Sequence, residues 1–447
     1  MRQAQDIIVR LLGNIGSRKE VEQYLRYYAS VDAPKFAVIK VSGSVIAESL
    51  DMLASSLSFL ANVGLVPIVV HGAGAQIERA LAESKIDAPL FGDGLWRMTP
   101  EVLEVARKTL LATGASIVDA LESLGTRARP FTSGVLEVTT TNDETRGLSA
   151  NVVRVADGPL VSAARSGMIP VISPFGETTG GQIAIVHADI VAREVALALR
   201  PHKIVFLSSR AGLVDEDGRL LYAVNLAEDY DSVLADGGLT EASRHELTQI
   251  KALLGDLPPS TSVSITSPDH LARELFTHRG AGTLVRRGER VRVEEKFEAV
   301  DIPRLKALLE QCFKRRLKKD YFTRKKPFRV YLAESYRATA ILTHEEGVPY
   351  LDKFAVTPEA QGEGIGGSIW QRMLREVPKL FWRARATNPV NAWYAQQADG
   401  LYKTDEWWVF WCGMTNFTEI EACVKRALAM PATLKGSAPD KQAEAQL

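Results

Sequence analysis

The sequence predicts an α/β protein of two domains: a larger one with a mainly parallel sheet, followed by a smaller α+β one. At 447 residues the chain is too long for one small core. Between about residues 35 and 290, short apolar runs alternate with helical patterns, which favours a parallel sheet with right-handed crossovers. From residue 301 onward the order becomes a helix, hairpin-like strands, a strand–loop–helix and further strands, which is typical of an α+β domain.

The composition narrows the class of protein. Hydrophobic residues are 46% and charged residues 24%, as in a soluble globular protein. The formal net charge is zero, which argues against a nucleic-acid-binding surface. The three cysteines are odd in number and far apart, which predicts a reducing compartment and neither a disulfide nor a zinc framework. We expect a cytoplasmic protein, because we find neither a secretory signal nor a run of about eighteen apolar residues for a membrane span.

Composition and periodicity divide the chain into five predicted segments. Residues 4–30 carry a rough apolar stripe at helical spacing, and this helix either caps its own domain or packs on another subunit. The stretch before residue 301 is charged and irregular, and the last residues are poor in large apolar groups. The predicted segments are an N-terminal helix (1–30), the first domain (31–288), a linker (289–300), the second domain (301–432) and a disordered tail (433–447).

Apolar runs of the first domain predict buried strands, each ending in a turn of small residues. These runs are KFAVIKVSG, VPIVVHGAG, IPVISPFG and KIVFLSS. Helical patterns between them include residues 101–124 and 188–199. Ligands of such sheets bind beyond the carboxyl ends of the strands, which is where the small-residue turns fall.

Residues 350–370 form the most informative run of the chain. A β-prone stretch ends at Val356, a turn follows, and glycines then open a helix. The free N–H groups and positive dipole end of such a helix bind a pyrophosphate, and glycine lets the phosphate approach the backbone. A glycine-rich helix start without a ligand has the same pattern. The residues of the loop are Gln361, Gly362, Gly364 and Gly366.

Polar residues on both sides of this loop predict a cationic pocket that is rich in amide groups. Lys353 lies on the strand before the loop. Arg383 and Arg385 lie on a later strand, where we expect them to point to opposite faces so that one pairs with a substrate carboxylate. Asn388 and Tyr394 follow. Such a pocket suits a small anionic amine, although each of these cations is also compatible with an ordinary surface position.

The spacing Gln-x-x-Gly-x-Gly resembles the coenzyme A loop of the GNAT acetyltransferases. The strings YLDKFAV, QGEGIG, FWRARATNPVNAWY and WWVFWCGM together resemble the acetyltransferase domain of N-acetylglutamate synthases that are fused to an amino-acid-kinase domain. The resemblance covers roughly residues 5–430. It implies a three-layer amino-acid-kinase domain followed by a GNAT domain, with acetyl-CoA as cosubstrate, L-glutamate as acceptor and a place in arginine biosynthesis.

The resemblance also implies roles for residues of the second domain. Tyr394 is the candidate acid for the departing thiolate, and Lys353 and Asn388 join it as candidate catalytic residues. Glutamate binding is implied for Lys353, Asn388 and the arginine pair Arg383 and Arg385. The reaction needs no metal. Acetyl-CoA binding is implied for Phe354, Ala355, Val356, Gln361, Gly362, Gly364, Ile365 and Gly366.

The first domain matches an acetylglutamate kinase only in outline, and such a kinase would use ATP and Mg²⁺. Ile185 and His187 stand where the resemblance leads us to expect asparagines. Glu246 stands where a phosphate-binding lysine is expected, with Lys251 further along, and a carboxylate there opposes phosphate binding. We therefore expect a weakened kinase site with a regulatory role. The matching residues are Lys40, Gly72, Ala73, Gly74, Arg97 and Asp189.

Several alternatives remain open. The chain is also compatible with a bifunctional synthase and kinase, with a non-catalytic arginine sensor, or with a protein acetyltransferase. The resemblance implies an arginine effector site at Glu274 and the turn of Gly280 and Gly282, and a closing helix and turn is the simpler interpretation. We expect a homo-oligomer, with a tetramer as the first guess, and neither a nucleic-acid nor a membrane partner.

Overall fold

A computed structural model describes residues 36–91, 96–141, 145, 147–201, 203–235, 237–258, 261–276, 281–358, 360 and 364–435. The chain divides into two compact units, Met1–Arg287 and Gly288–Leu447. The predicted N-terminal helix lies outside the described residues, as do Gln361, Gly362 and Gly280.

The first unit alternates strands and helices as the sequence predicts. In chain order its elements are β1 (Ala37–Val41), α1 (Gly43–Asn62), β2 (Ile68–His71), α2 (Gly74–Glu83), α3 (Pro100–Ser123), β3 (Ala128–Phe131), β4 (Leu136–Thr140), β5 (Ala150–Val155), α4 (Asp157–Arg165), β6 (Ile169–Ile172), β7 (Phe175–Glu177), β8 (Ile183–Ile185), α5 (Ala188–Leu199), β9 (Lys203–Leu207), β10 (Ala223–Asn225), α6 (Leu226–Ala235), α7 (Glu241–Asp256), β11 (Ser262–Thr266), α8 (Leu271–Phe276) and β12 (Thr283–Arg286).

An eight-stranded sheet forms the middle layer of this unit, with the order β10-β12-β11-β9-β1-β2-β6-β3. Its neighbouring strands are parallel except β11 and β12. Successive side chains of β1 alternate between two cores: Val38 packs in one and Ile39 in the other. Both faces of the sheet are therefore buried, which confirms the predicted three-layer α/β domain. A second, four-stranded sheet has the order β5-β4-β7-β8.

Helix α1 is buried along one side in the core of this unit. The Ser42 hydroxyl caps its start by accepting a hydrogen bond from the backbone N–H of Val45. Leu53, Leu57 and Leu60 are buried. By length and composition alone, α1 is the one helix among the described residues that could cross a membrane. The buried core helix of a soluble protein meets the same two criteria.

The second unit is built around one sheet with helices on both sides. In chain order its elements are β13 (Val291–Glu294), α9 (Ile302–Phe313), α10 (Tyr321–Arg324), β14 (Pro327–Ala333), β15 (Ala338–Glu345), β16 (Val348–Val356), α11 (Ile365–Glu376), β17 (Leu380–Arg385), α12 (Asn391–Gln397), β18 (Gly400–Lys403), β19 (Trp407–Cys412) and α13 (Phe417–Ala429).

The seven-stranded sheet of this unit has the order β13-β14-β15-β16-β17-β19-β18. Its first strand lies in the segment predicted as a linker, because β13 pairs antiparallel with β14 and Val291 is buried. The predicted linker therefore belongs to the second unit. The start of the predicted disordered tail is also ordered: Leu434 bridges Leu317, and the backbone N–H of Lys318 donates to the carbonyl of Thr433.

Candidate active site

The ladder between strands β16 and β17 ends early in the middle of the seven-stranded sheet. The strands run parallel, and their ladder joins them at a single pair, Tyr350 and Phe381. Beyond that pair, residues 351–356 and 382–385 form no ladder with each other. We call this unpaired part of the two strands the wedge. The ladder does not use the backbone groups that the two strands turn toward each other there, so an extended ligand can bind them.

Helix α11 begins beside the wedge with a glycine entry. Gly364 adopts a φ of +82° at its N-cap position, a conformation that glycine adopts without strain. No side chain among the described residues caps the helix, so its first N–H groups are left for another acceptor. A Cβ on Gly366 would lie 2.8 Å from a Val356 methyl group, so glycine there lets the helix approach β16 closely. The described part of the predicted coenzyme A loop thus has the geometry of an anion site.

An aromatic cluster fills one face of the sheet behind this helix. Phe354 stacks on Trp393 with the ring centroids 5.7 Å apart, and the Tyr394 ring lies 5.6 Å from that of Trp382. Tyr394 is 6% exposed, and burial raises the pKa of its hydroxyl above the usual value. The phenol therefore stays protonated at neutral pH and is a potential proton donor.

Lys353 lies on the opposite face of β16, in a buried network of charges. Its ammonium group donates to Asp352 Oδ2 at 2.7 Å and to Thr433 Oγ1 at 2.8 Å. The Asp352 carboxylate also accepts from the Tyr321 hydroxyl at 2.7 Å and pairs with Lys325 at 3.1 Å. Burial alone would raise the pKa of Asp352, but the two ammonium groups lower it to about 2. Asp352 is therefore a fixed anion that positions the cations around it.

Arg383 and Arg385 lie on the same face of β17, contrary to our prediction. Both guanidinium groups stack on the Trp407 ring, at 4.0 and 4.1 Å from its centroid. The reason is the two-residue period of a strand, which returns residues i and i+2 to one face. Arg385 pairs with the exposed Glu406. Arg383 donates to the backbone carbonyl of Ala427 at 2.5 Å. Burial lowers the pKa of Lys353, and the nearby charges of Lys325 and Arg383 act in the same direction.

The predicted site residues are thus divided between the two faces. Lys353 and Arg383 share one face, whereas Tyr394 lies with Phe354 and Trp382 on the other. Asn388 is half-buried in the turn after β17, where its Oδ1 accepts from the backbone N–H of Val390 at 3.1 Å. Both groups border the wedge, because Lys353 and Phe354 lie on β16 and Arg383 and Trp382 lie on β17.

The first unit has its own buried charge cluster at the carboxyl end of β1. Lys40 pairs with Asp189 at 2.7 Å and with Glu246 at 3.4 Å. Burial would lower the pKa of Lys40, but the two carboxylates raise it well above its usual value. Burial raises the pKa of Glu246, whereas Lys40 outweighs burial at Asp189 and lowers the pKa of that carboxyl. Glu246, which stands where a phosphate-binding lysine is expected, thus lies beside Lys40.

The other predicted kinase-like residues differ in their positions. Helix α2 begins at Gly74 after Gly72 and Ala73 without a side-chain cap, beside the end of β1. Arg97 is exposed on the surface. Lys251 does not take the place of the missing lysine, because its ammonium group lies over the Tyr230 ring instead, 3.3 Å from the ring centroid.

Glu274, the predicted arginine ligand, is buried and accepts hydrogen bonds from its own chain. One carboxylate oxygen accepts from the Ser264 hydroxyl at 2.6 Å, and the other accepts from the backbone N–H of Ala281 at 2.8 Å. A Cβ on Gly282 would lie 2.1 Å from the carbonyl oxygen of Ile265, so glycine there permits the tight turn. Glu274 therefore has a structural role, because its two hydrogen bonds join α8 to β11 and to the turn before β12.

Sequence reasoning missed the anionic half of the second-unit network. Asp352 directly precedes Lys353 in an otherwise apolar strand, a signal that was available. Lys325 and Glu345, whose side chains pair at 3.0 Å, carry no comparable signal, because they lie on other elements.

Two family matches correspond to the two units. Residues 35–244 match the amino acid kinase family, and residues 291–429 match the N-acetyltransferase (NAT) family of N-acetylglutamate synthase. A Xanthomonas campestris protein named acetylglutamate kinase is 44% identical over 427 residues, covering 94% of this chain and 100% of that protein. Human mitochondrial N-acetylglutamate synthase is 32% identical over 431 residues, covering 95% of this chain and 77% of that protein.

A solved structure has the same order of domains. N-acetylglutamate synthase of Neisseria gonorrhoeae, complexed with coenzyme A and N-acetylglutamate, has a TM-score of 0.65 at 19% identity, covering 89% of this chain and 98% of that one. Fold and site together define a kinase-fold domain fused to a GNAT acetyltransferase domain. The chain belongs to the family of N-acetylglutamate synthases and acetylglutamate kinases that have this fused architecture.

Proposed function

We propose that the chain transfers the acetyl group of acetyl-CoA to the α-amine of L-glutamate. The observation that carries this proposal is the wedge, which has an uncapped glycine helix start on one side and the cations Lys353 and Arg383 on the other. The helix start suits the pyrophosphate of coenzyme A, and the cations suit the carboxylates of glutamate. The relatives named N-acetylglutamate synthase support the same substrates.

The proposed reaction is a direct transfer. The neutral amine of glutamate attacks the thioester carbonyl, so that a C–N bond forms and the C–S bond breaks. A backbone N–H among residues 354–356 would stabilise the oxyanion, because β16 has no ladder partner there on the wedge side. The amine loses a proton to water or a side chain, and the thiolate takes a proton from Tyr394.

Charge accounting favours an acidic acceptor. Lys325, Lys353, Arg383 and Arg426 contribute four positive charges to the network, and Asp352, Glu345 and Glu346 contribute three negative ones. One positive charge thus remains for a substrate carboxylate in a buried setting, where charge pairs are strong. A lysine side chain of a protein would be repelled, which argues against a protein acetyltransferase.

The kinase-like site is proposed to have weak or no activity. A kinase of this class needs cations around the transferring phosphoryl group. Here Lys40 is neutralised by Asp189 and Glu246. The specific observation that favours the second candidate, a bifunctional synthase and kinase, is the 44% identical relative named acetylglutamate kinase.

We also propose arginine as an effector of a homo-oligomeric enzyme. A second Neisseria gonorrhoeae structure of the same fold is complexed with coenzyme A and L-arginine. Glu274 is the proposed ligand, and its hydrogen bonds to Ser264 and Ala281 leave lone pairs on both oxygens. Arginine that binds one assembly state more tightly would shift the enzyme to that state.

Two assays on the full chain test these proposals. Thiol release from acetyl-CoA should depend on L-glutamate, and release that is unaffected by glutamate would refute acetyl transfer to it. ATP with N-acetylglutamate and Mg²⁺ should give little or no phosphorylation. Robust Mg²⁺-dependent phosphorylation would restore the bifunctional alternative and leave the synthase proposal intact.

A further inference from the structure

Three metal-ligand side chains meet beside Lys40 in the first unit. His187 caps the start of α5, Asp189 lies in its first turn, and His245 lies on α7. One ligand atom from each side chain lies within 4.8 Å of the other two. The two imidazole rings are 4.8 Å apart at 64°. We propose that these three side chains bind a divalent transition-metal ion, with Zn²⁺ as the ion that best fits the ligand set.

The donor atoms select this class of metal. Two imidazole nitrogens and one carboxylate oxygen suit Zn²⁺ and its transition-metal neighbours, whereas Mg²⁺ and Ca²⁺ prefer oxygen ligands throughout. The two oxygens of Asp189 have separate tasks: Oδ1 binds Lys40 at 2.7 Å, and Oδ2 faces His187 Nδ1 at 3.6 Å. The ion can therefore take Oδ2 while Lys40 keeps Oδ1.

His245 supplies the second, independent observation. Its Nε2 atom is buried and has no hydrogen-bond partner in the described part of the chain. A buried polar atom without a partner is costly, and coordination to a metal removes that cost. At the other side of the site, His187 Nδ1 accepts from the backbone N–H of Asp189 at 3.2 Å, a long cap that a bond to the metal can replace.

The charge around the site also favours a cation. Lys40 contributes one positive charge, and Asp189 and Glu246 contribute two negative ones. The excess negative charge is buried, where it attracts a cation strongly. His187 and Glu246 are among the positions at which the sequence departs from the expected kinase residues. His187 supplies a ligand of the proposed site, and Glu246 adds negative charge beside it, so that the metal ion would join α5 to α7.

The test uses the full-length protein after removal of metal with a chelator. Calorimetric titration with Zn²⁺ should show one ion per chain, and the ion should raise Tm, because it binds the folded state. Loss of an outer partner lowers metal affinity roughly 10–100-fold, so His187→Ala and His245→Ala should each weaken binding at least that much. His270→Ala is the matched control, because His270 also lies beside an aspartate (3.5 Å from Asp269) but is exposed in a 3₁₀ turn.

Cobalt(II) gives a second readout. Bound at this site it should produce the visible d–d bands of a low-coordinate complex, and these bands should vanish in His245→Ala and persist in His270→Ala. Circular dichroism establishes that each variant is folded. Zinc affinity that is unchanged in both site variants, or no stoichiometric zinc binding by folded wild type, would overturn the proposal.

Discussion

At the scale of residues, the proposed acetyltransferase site depends on a buried anion whose three partners lie on β16, on α10 and directly after α10. Asp352 holds Lys353 of its own strand, Lys325 after α10, and the hydroxyl of Tyr321. Taking these charges out of water is costly, and the mutual attraction offsets the cost only while every partner is present. The orientation of Lys353, which we propose to bind a substrate carboxylate, therefore depends on Asp352.

Asp352→Asn should both destabilise the second unit and raise the KM for glutamate. Removing one partner of a buried ion pair costs about 3–5 kcal/mol, because the other charge is left buried and unpaired. The control is Glu295→Gln, which breaks an exposed pair with Arg329 and should cost under about 1 kcal/mol. Denaturant unfolding and steady-state kinetics measure the two effects. Equal losses in the two variants would contradict the role of Asp352.

Tyr394→Phe should lower kcat by about 100-fold or more and leave the KM for glutamate nearly unchanged. The substitution removes a proton donor that acts in the transition state and keeps the ring that packs on Trp382. Tyr402→Phe is the control, because Tyr402 is 50% exposed. An unchanged kcat at every pH would remove Tyr394 from the mechanism.

At the scale of elements, local patterns predict the helices better than they predict the edges of the sheets. The helical pattern at 188–199 matches α5, Ala188–Leu199, because apolar spacing and capping both act locally. Strand β13 was missed, since its sequence Val-Arg-Val-Glu places charges on one face and reads as a charged linker. Only its pairing with β14 shows it to be a strand. The wedge was not predictable either, because strand separation is set by tertiary packing.

Gly366→Ala and Gly367→Ala should have opposite effects on stability. The new Cβ at position 366 would lie 2.8 Å from a Val356 methyl group and force α11 away from β16, whereas position 367 has open space within 4 Å. Gly367→Ala should therefore raise Tm through a gain of roughly 0.4–1 kcal/mol. Gly366→Ala should lower Tm and raise the KM for acetyl-CoA. Two variants with equal Tm would show that the close approach is not needed.

At the scale of the whole molecule, topology explains why part of each site could be predicted. A parallel sheet collects the residues at the carboxyl ends of its strands and at the starts of the helices that follow, so Lys40 of β1 meets Asp189 in the first turn of α5. Glu246 reaches Lys40 from the helix α7, 206 positions away. The network of Asp352, Lys325 and Glu345 follows no such rule, because tertiary packing brings Lys325, after α10, to the antiparallel pair of β15 and β16. Each unit has its own core. The buried groups whose pKa values matter for acid stability also differ, with His71 in the first unit and Asp352 in the second, so we expect the two units to respond differently to acid.

The first unit should lose stability at a pH at which the second is unaffected. Burial lowers the pKa of His71 from 6.5 to about 4. Between these two pH values the unfolded state therefore binds a proton at His71 and the folded state does not. The stabilisation is present above pH 6.5 and falls as the pH drops toward 4, by about 2 kcal/mol at pH 5. Asp352, with its pKa lowered to about 2 from 3.8, loses its contribution only below pH 3.8.

Scanning calorimetry of the full chain at pH 7 and pH 5 measures this difference. Glu246 changes the stability in the opposite direction as the pH falls, because burial raises its pKa. The experiment therefore compares wild type with His71→Gln at both pH values. Glutamine keeps a partner for the Ser173 hydroxyl, which lies 3.0 Å from His71 Nε2, but it does not titrate. Between pH 7 and pH 5 we expect Tm to fall less in His71→Gln than in wild type. In the control His270→Gln, which removes a more exposed imidazole, Tm should fall as much as in wild type. Equal losses in wild type and His71→Gln would show that His71 does not carry the acid sensitivity.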